Sequence, residues 1–354
     1  MLVHTYDHPT MSPLEVARPT LDPSAHQPFT SVEEYILRCT DEIWVDRGVG
    51  LIDAAYYDPD VRIHGAFGTS VGLSSVIAGT TQSIASYPDE VGFGEDVVWE
   101  PRGEQSFISS HRVYSTGTNT GWTSYGPPSG RHFEKRALAH CLVKNGKIIE
   151  EWVVRDEHRL VVDLGHDPRQ VARRFAERGD WRPLELGHLP EDPLCAGVSG
   201  ERDPGANAGE DQRMLEMFDQ LWNDRRHDRI SDFYDRDVVL HTSRGRTLQG
   251  LRQVSTETLD VLAAFPDARQ RILDVCIDEH PRRGQRAAVV WLLEGTYSGY
   301  DVYGPATGLP IQLLGASQFV LEGGRIVREF RVYDELALAI QIEQGRLQST
   351  AVDS

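Results

Sequence analysis

The stretch "GKIIEEWVVRDEHRL" (Gly146–Leu160) returns as "GRIVREFRVYDELAL" (Gly324–Leu338), with seven of fifteen positions identical at a constant offset of 178. Upstream, "YGPPSGRHFEKRALAHCLVKN" (from Tyr125) aligns without a gap to "YGPATGLPIQLLGASQFVLEG" (from Tyr303). Apolar or alternating β-rich runs between glycine-bearing turns read as an antiparallel meander.

The echo continues toward the N-terminus. "GTNTG" at Gly117 matches "GTYSG" at Gly295, "YPDE" at Tyr87 matches "FPDA" at Phe265, and "GLSSV" at Gly72 matches "GLRQV" at Gly250. "YYDPDVRIHG" (Tyr56–Gly65) matches "FYDRDVVLHT" (Phe233–Thr242), and "WVDR" at Trp44 matches "WNDR" at Trp222. Each unit opens on a helix. Ser31 and Glu34 have capping-box spacing, with Val32, Tyr35, Ile36, Cys39 and Ile43 on one face. Met214, Phe218, Leu221 and Trp222 are the counterpart. Helices first and a sheet afterwards, twice, make an α+β plan.

The chain of 354 residues then divides into an N-terminal arm at 1–28, which carries five prolines, a first unit at 29–165, a helix and linker at 166–209, a second unit at 210–345 and a tail at 346–354. Its 40% apolar and 25% charged residues suit globular domains. The longest apolar run, Ala287–Leu293, is far too short for a membrane helix. No basic-then-apolar leader is visible, so a cytoplasmic location is expected. A formal charge of −18 disfavours nucleic acid and anionic lipid as partners. Cys39, Cys141, Cys195 and Cys276 lack CxxC spacing and are expected to be reduced thiols.

The ordered motifs resemble the SnoaL-like branch of the nuclear-transport-factor-two-like superfamily, over roughly residues 30–165 and 210–345. The resemblance implies two cones, each a curved antiparallel sheet wrapped against helices with a pocket open at one end. Members commonly dimerise through the outer sheet face, so it also implies an intramolecular pseudo-dimer, with a further homo-oligomer open. Dehydratases, isomerases, cyclases, epoxide hydrolases and binding modules share the fold, so the site must be argued from side chains. By motif alignment the acid/base pair of the cyclases falls on Ala139 and Val153, and on Ser317 and Arg331 in the second unit, which puts polyketide cyclisation in doubt.

In a strand alternate residues share a face. If one face of the last strand points inward, the first unit offers Glu151 and Arg155, and the second Glu329, Arg331 and Tyr333. A carboxylate in an apolar cone is suited to general acid–base work, and its structural alternative is a supporting ion pair. His64 and His241 sit where the family often carries a polar pocket residue. The first unit is the more polar, with Arg112, Arg136 and His140 among the residues of its strands, so the expected reactive site is His64, His111, Asn119, Glu151 and Arg155. Arg155 and Lys135 are candidate anion clamps. Trp44 is a further candidate ligand contact, and Trp222, His241, Tyr297, Glu329, Arg331 and Tyr333 form the more aromatic second set. Trp222 and Trp291 are expected to be core.

His64, His111, Glu151 and Asp156 could group as nitrogen and oxygen ligands, but no HExxH, HxH or CxxC is present, so no metal is expected. "HTYDH" (His4, Asp7, His8) reads as a polar tail. Neither a dinucleotide fingerprint nor a G-x-S-x-G elbow occurs. The reading is a cofactor-free lyase or isomerase acting on a small polar, carboxylated metabolite. The competing class is a non-catalytic small-molecule binder with the second unit as scaffold.

Overall fold

The computed structural model describes residues 21–186, 208–300 and 302–352. In the first unit the Ser31 hydroxyl accepts from the Glu34 amide at 3.1 Å and starts α1 (Val32–Thr40). A wide π-type turn, Asp41–Val45, follows and carries Trp44. Then come β1 (Tyr57–Gly65), β2 (Gly68–Val71), α2 (Leu73–Ser86), β3 (Val91–Pro101), β4 (Ser106–Thr118), β5 (His132–Lys144), β6 (Lys147–Arg155), α3 (Glu157–Asp163) and α4 (Pro168–Arg178). In the second, α5 (Ala208–Phe218) runs into the same wide turn at Asp219–Asn223, which carries Trp222. After it come α6 (Ile230–Phe233), β7 (Tyr234–Thr242), β8 (Arg246–Gln249), α7 (Gly250–Ala264), β9 (Arg269–His280), β10 (Gly284–Thr296), β11 (Pro310–Glu322), β12 (Arg325–Tyr333) and α8 (Glu335–Val352).

Both sheets have one topology, β2-β1-β6-β5-β4-β3 and β8-β7-β12-β11-β10-β9. The expected antiparallel meander is β3 to β6 and β9 to β12. The expectation of a wholly antiparallel sheet is corrected, because β1 lies parallel to β6 and β7 parallel to β12. Alternation within a strand states which residues share a face, not which neighbour the strand will find. Asn145 and Gly146 both take positive φ (51° and 73°) and close the β5–β6 hairpin as a type I′ turn, as do Gly323 and Gly324 in the second unit. Register shifts between Leu142 and Val143, and between Val320 and Leu321, bend the sheets.

Each sheet wraps its own helices on the concave side. Behind the first sheet lie Tyr35, Cys39, Tyr57, Val61, Phe107, Cys141 and Val143, and behind the second Phe218, Trp222, Val261, Trp291 and Phe319. A third core joins the outer faces: Val98, Ile108, Leu138, Trp152 and Val154 pack with Leu273, Val290, Leu292, Leu314 and Ala316. Helices α4 and α8 extend this junction through Val171, Phe175, Leu336 and Ile340.

Charge reinforces the same junction. Arg102 donates to Asp274 of the second unit (3.0 and 3.1 Å), to the Val275 carbonyl (2.8 Å) and to its own neighbour Glu100. Arg286 of the second unit donates to Asp96 of the first and to its own neighbour Asp278. Asp96 matches Asp274, and Glu100 matches Asp278, at the repeat offset of 178. The expected pseudo-dimer is therefore built with an approximate twofold relation.

The N-terminal residues from 21 onward are not loose, since Ala25 is fully buried, and α8 continues past 345 to Val352. Residues 1–20, most of the linker and Cys195 lie outside the described residues. Cys39, Cys141 and Cys276 are free and buried. Among the described residues no helix is long and apolar enough to cross a membrane.

Replacing Arg102 with Met leaves Glu100 and Asp274 buried without their cation. Loss of one partner of a buried pair typically costs about 3–5 kcal/mol. Urea unfolding should register that loss for Arg102→Met. Arg173→Met, which removes an exposed pair with Glu177, should leave the midpoint nearly unchanged.

Candidate active site

Strand β6 splits by alternation. Trp152 and Val154 enter the junction between the sheets, whereas Glu151, Val153 and Arg155 lie on the concave side of the first unit, opposite Cys141, Ala139 and Ala137 of β5. Glu151 is buried, and the hydroxyl of Tyr57 on β1 donates to its Oε2 at 3.1 Å. Burial raises the Glu151 pKa above the ordinary carboxylate value, against the opposing pull of the Arg155 charge and the Tyr57 hydrogen bond. Arg155 itself is half-buried at the end of the strand. Cys39 and Cys141, also fully buried here, are pushed up by burial and stay as thiols.

His111 on β4 lies on the same face of the sheet, in register with Ala139 and Val97. Thr40 Oγ1 donates its proton to the Ile36 carbonyl (3.3 Å) and lies 3.2 Å from His111 Nδ1. A hydroxyl has one proton, so with that proton on the Ile36 carbonyl Nδ1 is the donor in the second contact and Nε2 keeps its lone pair, the tautomer the proposed mechanism uses. Nε2 is buried and has no hydrogen-bond partner among the described residues. Burial, helped by the neighbouring Arg112 charge, lowers the His111 pKa to about 4, so the ring is neutral at pH 7. Gly94 makes room for it: a Cβ there would stand 2.9 Å from His111 Nε2 and 2.2 Å from Leu37 Cδ2.

Strand β5 separates His111 from Glu151. With strands spaced about 4.8 Å and a rise of about 3.4 Å per residue, their backbones stand roughly 12 Å apart on one face of the sheet. The small residue between them is Ala139. Trp44, Ile63, Val76 and Ile77 pack on the core of this side while remaining partly exposed.

The second unit uses the same positions differently. Tyr234 OH donates to Glu329 at 2.8 Å, as Tyr57 does to Glu151, but Arg331 grips Glu329 with both Nε (2.7 Å) and Nη2 (2.9 Å). Ser317 Oγ adds a contact at 3.2 Å, and Arg331 lies 5.2 Å over the Trp222 ring. Tyr333, matching Arg155, donates to Glu257 at 2.8 Å, and Glu257 is held by Arg246 at 2.6 and 2.8 Å. Trp222 and Trp291 are buried core as expected, their ring centroids 6.0 Å apart.

Several expected site residues lie elsewhere. His64 points away from the cavity: it stacks on Trp152 with centroids 5.2 Å apart, and bonds Glu150 (2.8 Å) and Thr69 (2.9 Å). His241 likewise stacks on Phe330 at 4.7 Å and pairs with Thr247. Val61 and Ile63 take the concave side of β1, so alternation sends His64 outward. Asn119 locks its own loop, donating to the Gly121 carbonyl (2.7 Å) and accepting from the Ser129 amide (2.8 Å). Tyr297 does the same, bonding Gly304 O and the Tyr303 amide. Lys135 is paired with Glu90 at 2.9 Å beside the rings of Tyr87 and Phe133.

Much of the first unit's polar surplus serves the junction. Arg112 donates to Gln318 at 2.6 Å, and His140 Nε2 lies 2.7 Å from Asp274. Arg136 pairs with Glu95, which also holds Arg112. Asp156 caps α3 and accepts from the Gly245 amide of the second unit at 3.0 Å. His64, His111, Glu151 and Asp156 are thus not brought together, and the described residues hold no group of three or more His, Cys, Asp or Glu able to bind a metal.

Sequence reasoning passed over Tyr57 and Thr40. The signal for Tyr57 was present, since the second tyrosine of "YYD" recurs in "FYD".

Residues 212–342 match the SnoaL-like polyketide cyclase family. The SnoaL-like match thus spans the second unit. Solved structures similar to parts of this chain include a protein assigned to the SnoaL-like polyketide cyclases from Jannaschia sp. CCS1 (18% identity, 41% of this chain and 98% of that one, TM-score 0.36). Others are TsrD from Streptomyces laurentii (19% identity, 41% and 98%, TM-score 0.34) and a SnoaL-like polyketide cyclase from Agrobacterium tumefaciens (19% identity, 37% and 95%, TM-score 0.30). No curated protein matches the sequence.

A carboxyl whose folded pKa is raised binds its proton more tightly when folded, so its ionisation destabilises the fold as pH rises through that raised value. Glu151→Gln should therefore raise the melting temperature above that pH and change it little below the ordinary glutamate pKa. A melting-temperature difference from wild type that is flat with pH would contradict a raised Glu151.

Proposed function

We propose that the first unit is a second SnoaL-like domain and the catalytic one, performing cofactor-free acid–base chemistry of the lyase or isomerase kind on a small carbonyl-bearing metabolite. The observation that carries this reading is a buried carboxyl that favours its proton and a buried imidazole that does not, both on the concave face of one sheet. Pairs of titratable groups pushed apart in this way supply an acid and a base at one pH.

His111 Nε2 is the base and takes a proton from the carbon next to the carbonyl. Glu151 is the acid. In a dehydration it delivers its proton to the departing hydroxide as the C–O bond breaks, giving water and an alkene. In an isomerisation it protonates the carbonyl oxygen as the enol forms. Tyr57 holds the Glu151 carboxyl in place. Arg155, at the end of the same strand face, pairs with a carboxylate or other anionic substituent. His64, whose ring lies in the junction, has no part.

A thermal-shift screen against hydroxy, keto and unsaturated acids supplies the first substrate candidates, since native-state binding raises the melting temperature. For an acid that is turned over, Glu151→Gln and His111→Gln should each lower kcat by roughly 10²–10⁴-fold, whereas Glu329→Gln should leave it within about twofold. The rate should rise as His111 loses its proton near pH 4 and fall as Glu151 ionises at higher pH. Full activity in Glu151→Gln, or an equal loss in Glu329→Gln, overturns the assignment.

A further inference from the structure

We infer that the second unit has filled the shared pocket with its own side chains, and that Val153, with Val113 and Gly79, determines that only the first unit is open. The inference rests on reading the first unit's concave side as the ligand site. The two units can be compared position by position because their strands share register: Ala139 faces Val153 as Ser317 faces Arg331, and Val113 faces Ala137 as Trp291 faces Gly315.

Three differences close the second unit. First, the Trp291 indole lies flat on Gly315, where a Cβ would stand 2.1–2.4 Å from ring atoms. The first unit has Val113 and Ala137 at these places, so no indole fills the space and none would fit. Second, Arg331 neutralises Glu329 and also donates to Thr258 at 3.3 Å. Val153 stands at that position in the first unit and leaves Glu151 without a guanidinium in direct contact, only the Arg155 charge acting on it. Third, the rim of the second unit is tied by Glu257 to Arg246 and Tyr333. Gly79 replaces Glu257 in the first unit, and a Cβ on Gly79 would meet nothing within 4 Å. Gly68 replaces Arg246 there, so both halves of the tie are missing. Burial follows the substitutions: Val254 and Val261 of α7 are buried, while Val76 of α2 is partly exposed.

The plug is portable. The partners Arg331 uses, Glu329, Tyr234 and Thr258, have counterparts in Glu151, Tyr57 and Thr80, and Thr80 is buried as Thr258 is. An arginine at 153 therefore meets a carboxylate two residues away on the same face, as Arg331 does. One chain thus holds a single open site, and the repeat supplies a second body with the same sheet but a sealed interior.

The test uses the full chain and 1-anilinonaphthalene-8-sulfonate, an aromatic anion suited to an apolar cleft beside an arginine, with stoichiometry read by fluorescence titration. Wild type is expected to bind one molecule per chain, and Val153→Arg to bind at least tenfold more weakly with an unchanged far-ultraviolet circular dichroism spectrum. Should Val153→Arg unfold, Gly79→Leu, whose side chain enters open space at the rim, is expected to give the same weakening. Arg331→Val combined with Trp291→Val is expected to raise the stoichiometry to two. Absence of binding, two sites in wild type, or undiminished binding in both Val153→Arg and Gly79→Leu overturns the inference. Because the readout needs no turnover, loss of binding in Val153→Arg alongside full activity in Glu151→Gln would leave the plug standing and remove only the acid–base assignment.

Discussion

Two arginines buried between the sheets organise this molecule. A guanidinium cannot be withdrawn from water without partners, and each here is held by carboxylates from both units: Arg102 by Glu100 and Asp274, Arg286 by Asp278 and Asp96. Neither unit can leave the other without stranding a charge. The apolar contacts around Trp152, Val290 and Leu314 add burial, but the arginines add register, because each must meet a carboxylate at a set place on the opposite sheet. With the outer faces committed to each other, the concave faces, each under the helices of its own unit, are where the proposed ligand site lies.

That constraint explains the fate of the polar residues. Those on the outer face of β4, β5 and β6, among them Arg112, His140 and Glu150, are consumed by the junction or its margin. Those on the concave face are few, and their environment determines their chemistry. Glu151 and Glu329 are identical in sequence and both receive a tyrosine hydrogen bond, yet only Glu329 sits in a bidentate ion pair. One substitution between the units, valine against arginine, separates a carboxyl that favours its proton from one committed to a salt bridge. The same economy appears at His111, where the matching residue is Val289.

The sequence made the repeat, the α+β plan and the pairing of units legible, because hydrophobic alternation and turn chemistry are local and were written twice. It also placed Glu151 and Arg155 on one face of the last strand, since alternation along a strand lists residues of one face once one member is known, and it raised His111 through the polarity of the first unit's strands. It misled at His64 and His241. Their recurrence suggested a pocket role, but recurrence equally marks a packing position, and a ring stacked on Trp152 or Phe330 repeats for that reason. Asn119 and Tyr297 recur in position because the same loop needs locking in both units.

What the sequence by itself determined is the content of each face: period-two alternation, glycines at positive φ in the hairpins, and capped helices. What only the tertiary structure decided is which face looks inward and which buried charge finds a partner. Those outcomes depend on strand neighbours far apart in the chain, β1 beside β6 and β4 across β5 from β6, and on the second unit's carboxylates reaching the first unit's arginine. Burial and pairing are properties of that assembled geometry, so the proton affinities of Glu151 and His111 could not be read before it.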